Sequence, residues 1–125
     1  MRKFALIITL QLALAAGVLA AAFEVSDDDM RDIEDTFKSL DSNVTLKDKK
    51  AASEAQELVA YFQKVEGFYA QKPDTADASG WARETHAAAK RLEAAVNEGR
   101  FDAALEDVHQ IQKTCKRCHD VYKQK

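Results

Sequence analysis

FDAALEDVHQIQKTCKRCHDVYK, residues 101–123, is the stretch on which the fold turns. Phe101, Ala104, Leu105, Val108, Ile111, Cys115, Cys118 and Tyr122 recur at steps dominated by three and four, which places them on one face of a long amphipathic helix. Its last turns carry Lys113, Lys116, Arg117 and Lys123, cations that suit the negative end of a helix dipole. Inside this helix lies Cys115-Lys116-Arg117-Cys118-His119. Positions i and i+3 share a helix face, so two thiols at that spacing can reach the two vinyl groups of one porphyrin and form thioethers. The residue that follows, His119, then stands where its imidazole can bind the iron from one side. C-x-x-C-H is the attachment signature of a c-type haem.

Three other uses of the cysteines fit less well. A thioredoxin-type pair needs a strand–helix–strand setting, and no stretch of this chain reads as a strand. A structural zinc site needs four Cys or His ligands at characteristic spacings, and no second pair is present. A disulfide between i and i+3 of one continuous helix is geometrically poor. Covalent haem c, one per chain, is the expectation.

Reading back from residue 101, Asn97-Glu98-Gly99 is a helix stop. Before it, Trp81, Thr85, Ala88, Leu92 and Ala95 or Val96 mark the inner face of a third helix, running from about Trp81 to Glu98. Gln71 to Gly80 reads as a polar loop around Pro73, the one proline. A second helix starts between Lys47 and Lys50, with Ala51, Ala55, Leu58, Phe62, Val65 and Tyr69 as its seam; Gly67 inside it costs about 1 kcal/mol relative to alanine. The first helix opens on Ser26 as N-cap, with Asp27, Asp28 and Asp29 in its first turn. Met30, Ile33, Phe37 and Leu40 form its apolar stripe, and Asp41-Ser42-Asn43 reads as its end. Four amphipathic helices with short connections predict an all-α, antiparallel up-down-up-down four-helix bundle. Its many inward alanines allow close helix approach, leaving aromatics and a porphyrin to fill the wider end.

The N-terminus reads differently. Arg2 and Lys3 precede an apolar run from Phe4 to Leu19, interrupted by Thr9 and Gln11, and Ala20-Ala21-Ala22 offers a small-residue cleavage site. Residues 1–22 are expected to be a cleaved signal peptide and residues 23–125 a single domain starting near Phe23. The apolar run is short for a membrane span, so no membrane association is expected after cleavage, and the expected address is the periplasm. Removing residues 1–22 takes away Arg2 and Lys3 but no acidic group, so the formal charge of −3 becomes −5. An acidic domain with no basic stripe is a poor nucleic-acid binder.

With the haem motif on the last of four helices, the chain resembles the class II c-type cytochromes, which comprise cytochrome c′ and its six-coordinate, low-spin relatives. The likeness covers the export signal, the four helices, a tryptophan opening the third, and the terminal Cys115-x-x-Cys118-His119. Class I cytochromes c carry the motif near the N-terminus instead. In cytochrome c′ the far side of the iron is empty and guarded by an apolar side chain of the first helix; the low-spin relatives fill it with a methionine from that helix. Met30-Arg31-Asp32 looks like the Met-Lys/Arg segment that carries this ligand, and Met30 is the only methionine besides the initiator. In an antiparallel bundle the start of the first helix lies beside the end of the fourth, at the level of His119. Phe37 lies seven residues further along, about 10 Å at 1.5 Å per residue.

The resemblance implies a soluble electron carrier, not an enzyme, with His119 and Met30 as axial ligands and redox proteins as partners. The alternative is a five-coordinate haem protein that binds NO or CO. Relatives occur as monomers and as homodimers built on the first two helices. His86 and His109 read as helix-surface histidines, and Trp81 as packing or a haem-edge contact. Lys116, Arg117 and Lys123 read as solvated helix-end charges or as screens for the haem propionates.

Overall fold

A computed structural model describes residues 24–123; the signal-peptide reading of residues 1–22 falls outside them. The chain forms α1 (Asp27–Thr45), α2 (Lys50–Ala70), α3 (Ala76–Asn97) and α4 (Phe101–Tyr122), with no strand among the described residues. Each helix packs on its neighbours in sequence, and α1 closes the ring against α4. Cross-helix polar contacts give the direction of each pair. Lys64 meets Asp29 and Glu54 meets Ser39 between α1 and α2, while Asp77 meets Tyr122 and Arg91 meets Asp107 between α3 and α4. In both pairs the start of one helix lies beside the end of the other, so the bundle is antiparallel as expected. No described helix is long and apolar enough to cross a membrane.

The first helix begins where the sequence places it. The Ser26 hydroxyl accepts from the Asp29 N–H at 3.1 Å, and the Ser26 N–H donates to Asp29 Oδ2 at 2.8 Å. This reciprocal capping box satisfies two otherwise orphaned donors. The end of α1 departs from expectation, because Asp41, Ser42 and Asn43 stay helical and α1 runs on to Thr45. Asn43 spends its side-chain amide on Glu54 of α2, at 2.8 and 3.0 Å, instead of on a local turn. Val44 is carried into the core by the added turn. The chain then reverses through Lys47, at φ 56°.

A second difference lies before Trp81. The polar loop is shorter than predicted, and α3 already starts at Ala76. Ala78 is fully buried, which gives this polar-looking stretch an inward face. Asp77 Oδ1 accepts from the Ala78 N–H at 2.8 Å and satisfies one first-turn donor. The other boundaries agree: α2 starts at Lys50 and passes through Gly67, and α3 stops before Gly99 at φ 71°.

The two ends of the bundle are packed differently. Towards the α1–α2 and α3–α4 turns, Leu40, Val44, Leu58, Leu92 and Val108 are almost completely inaccessible, set among Ala51, Ala55, Ala88, Ala95 and Ala104. Small residues there let the helices approach closely. At the opposite end Met30, Phe37, Trp81, Cys115, Cys118 and Tyr122 are only partly buried. All of these but Tyr122 line a cavity.

Candidate cofactor site

The cavity measures about 330 Å³ and lies chiefly between α1 and α4, with α2 and α3 behind it. Met30, Ile33 and Phe37 of α1, Phe62 and Val65 of α2, and Trp81 and Ala82 of α3 supply a largely apolar lining. Cys115, Cys118 and His119 of α4 border the same space. Met30 and the C-x-x-C-H residues, at opposite ends of the described chain, are thus brought together. Phe37 and Asp41 line this space too, so the cavity follows α1 for about three turns, further than the position of Met30 alone would suggest.

Both cysteines are free thiols, partly buried on one side of the last turns of α4. Burial pushes the Cys115 thiol up to about 11, and the neighbouring Cys118 adds to the effect. Cys118 is also raised, first by burial and then by the charge of Asp77. Both therefore remain protonated through the neutral range, unlike the thiolates that bind metals or attack disulfides. His119 stands at the mouth with an exposed flank. Burial of its ring and the nearby Lys123 pull its pKa down, against the opposing pull of Glu34 and Asp120. The neutral imidazole, the form that can donate a lone pair to a metal, is favoured.

The rim adds residues that the apolar pattern did not flag. Glu34, Lys38 and Asp41 of α1, Gln112 and Thr114 of α4 and Lys123 just after it complete the lining, together with Thr85 from the expected inner face of α3. Glu34 and Lys38 pair at 2.8 Å. Their i, i+4 spacing beside Met30 and Phe37 was the available signal. Thr114 is buried, with its hydroxyl donating within its own helix to the carbonyls of Gln110 and Ile111, which makes a polar residue acceptable in the core.

The remaining candidates are placed as follows. His86 is not a surface histidine; its side chain is 12% exposed and pairs with Glu66 of α2 at 2.5 Å, away from the cavity lining. His109 is exposed. Trp81 lines the cavity. Lys116 pairs with Asp120 at 2.7 Å, and Arg117 lies 3.6 Å from Glu84.

The lining suits a flat apolar ring with two attachment points and an axial base. The volume falls at the small end of ligand pockets, about 300–1,000 Å³, and the space opens to solvent beside His119. Among the described residues no three His, Cys, Asp or Glu side chains gather as a bare metal ion would need. A porphyrin brings four nitrogens of its own and asks the protein only for axial ligands. Comparison with protein-family models, curated proteins and solved structures found no match.

Proposed function

We propose that this protein is an exported c-type cytochrome of the class II kind, a carrier of single electrons that acts in the periplasm. The observation that carries the reading is that Cys115, Cys118, His119 and Met30 all line one largely apolar cavity. In this reading Cys115 and Cys118 would hold the haem through thioethers to its vinyl groups, and His119 and the Met30 sulfur would be the residues that bind its iron. A haem so held would supply an iron that cycles between ferric and ferrous states.

The chain's own residues explain why that cycle would be easy. Ile33, Phe37, Phe62, Val65 and Trp81 would exclude water from the ring faces, which keeps the surroundings of the iron constant as its charge changes. The neutral His119 ring is ready to coordinate without first losing a proton. A thioether at the sixth position favours the ferrous state and raises the potential. With His119 and Met30 both bound, the iron would have no open position for a substrate, in keeping with a carrier that serves redox partner proteins.

A second reading is favoured by one specific feature. Ile33 and Phe37 share the α1 wall with Met30, so the distal face can also be read as an apolar guard over an open site for NO or CO. Absorption spectra of the haem-loaded protein, oxidised and reduced, with and without CO, separate the two. The carrier should be low-spin in both states and bind CO slowly, since the thioether must leave first. A high-spin ferric spectrum with immediate CO binding would select the gas-binding reading. The absence of any Soret band would reject both.

A further inference from the structure

The start of α3 and the last turn of α4 meet in an aromatic cluster that electron carriage through the iron leaves unused. Tyr122 follows Cys118 by four residues and so shares its helix face. Its ring packs against Trp81, with centroids 6.3 Å apart, and against Tyr69 at 5.9 Å. Trp81 is itself part of the cavity lining. The Trp81 and Tyr122 rings therefore form a path from the cavity lining to a phenol that is not itself part of it.

That phenol has a base attached. Tyr122 Oη donates to Asp77 Oδ1 at 2.5 Å. Asp77 sits in the first turn of α3, where the helix dipole favours negative charge, and the same oxygen accepts from the Ala78 N–H at 2.8 Å. The carboxyl is held below its ordinary value, first by the Tyr122 hydroxyl and then by that N–H, so it is ionised at neutral pH. Filling space between Trp81 and Tyr69 would require only a ring. An oxidised phenol is a strong acid, and a carboxylate already hydrogen-bonded to it lets electron and proton leave together.

Resting on the haem reading above, we propose that Tyr122 is a redox-active tyrosine that returns an electron to the cavity when a hydroperoxide has oxidised the cofactor beyond its ferric state. Hydrogen peroxide, which like CO would reach the cofactor only once the Met30 thioether had left, takes two electrons in all and, with two protons from water, becomes two molecules of water. Tyr122 gives one electron back by way of the Trp81 ring. Its O–H bond breaks and the proton passes to Asp77, leaving a neutral tyrosyl radical and a protonated carboxyl. The carrier's redox partner, a one-electron donor, supplies one electron to the radical and one to the cofactor; the phenol regains its proton from Asp77. The device would spare the covalently held ring from oxidative damage.

Freeze-quench electron paramagnetic resonance of the haem-loaded protein mixed with hydrogen peroxide tests this, using protein grown on ring-deuterated tyrosine to identify the radical by its altered hyperfine pattern. Wild type should give a tyrosyl signal, and Tyr69→Phe should keep it. Tyr122→Phe, which preserves the ring, should lose it and bleach its Soret band faster. Asp77→Asn should slow its appearance about tenfold, less than the 10²–10⁴-fold typical of a positioned base because water competes at this exposed pair. Circular dichroism checks that each variant is folded. No tyrosyl signal in wild type, or an equal one in Tyr122→Phe with an intact haem spectrum, overturns the inference and leaves the carrier reading standing. A chain without covalent haem overturns that reading first, and this inference with it.

Discussion

At Met30 the distinction between two haem chemistries rests on one sulfur atom. The side chain is half-buried on the α1 wall of the cavity, with Ile33 and Phe37 beside it. Met30→Ala in the haem-loaded protein should convert a low-spin spectrum to a high-spin one and make CO binding fast, as read by stopped-flow absorption. The bundle should survive. Full burial of a methionine would put the loss at about 2–5 kcal/mol, and partial exposure lowers it to about 1–2 kcal/mol. If wild type is already high-spin and Met30→Ala changes nothing, the methionine is packing and the site is open.

Among the elements, two glycines in α3 and at its end make opposite forecasts from the same empty space. A Cβ added at Gly80 or at Gly99 would meet nothing within 4 Å. Gly80 lies inside α3, so Gly80→Ala should stabilise by about 0.5–1 kcal/mol through the lost freedom of the unfolded chain. Gly99 sits at φ 71°, where a Cβ crowds its own backbone, and Gly99→Ala should cost about 1–2 kcal/mol. Urea melts of the two variants should shift their midpoints in opposite directions. Shifts of the same sign would contradict the backbone account.

The start of α1 adds a pH dependence. The Asp29 carboxyl is held down at about 2, first by the Lys64 ammonium and then by the Ser26 N–H and hydroxyl. In the unfolded chain it returns to the ordinary 3.8. Its contribution is therefore complete above about pH 4 and is lost as the pH falls towards 2. Asp29→Asn should melt below wild type at pH 7, and the gap should close on acidification across that interval. A gap that is constant with pH would show that the charge is not what ties α1 to α2.

How much of this was legible depended on what each residue answers to. The apolar faces of all four helices could be read because a helix that buries one stripe must repeat it at three and four. Ser26 could be read because a cap is a local device. Asp41, Ser42 and Asn43 misled because their turn chemistry is also local, while the Asn43–Glu54 contact that keeps them helical comes from another helix. Ala76 to Gly80 misled because the burial of Ala78 is a tertiary fact. Of the site, Cys115, Cys118 and His119 were visible as residue types at a spacing, and Met30 through the family resemblance and its place at the start of the first helix. Gln112 and Thr114 were not, because polar side chains in a cavity wall carry no periodic mark.

For the whole molecule, the asymmetry between the two ends is the main result. Alanines and leucines seal one end, while the other keeps a cavity bordered by two thiols, an imidazole and a thioether. Residues 24–123, with so open an end, give up apolar contacts that a covalently held ring would restore. The most direct test of the proposed function is intact-mass spectrometry of the protein, produced from the full chain, under denaturing conditions, where non-covalent ligands are lost. The account predicts a chain beginning near Phe23, heavier than its amino acids by one haem, with neither Cys115 nor Cys118 open to alkylation. A mass equal to that of the amino acids alone, with both thiols reactive, would contradict it.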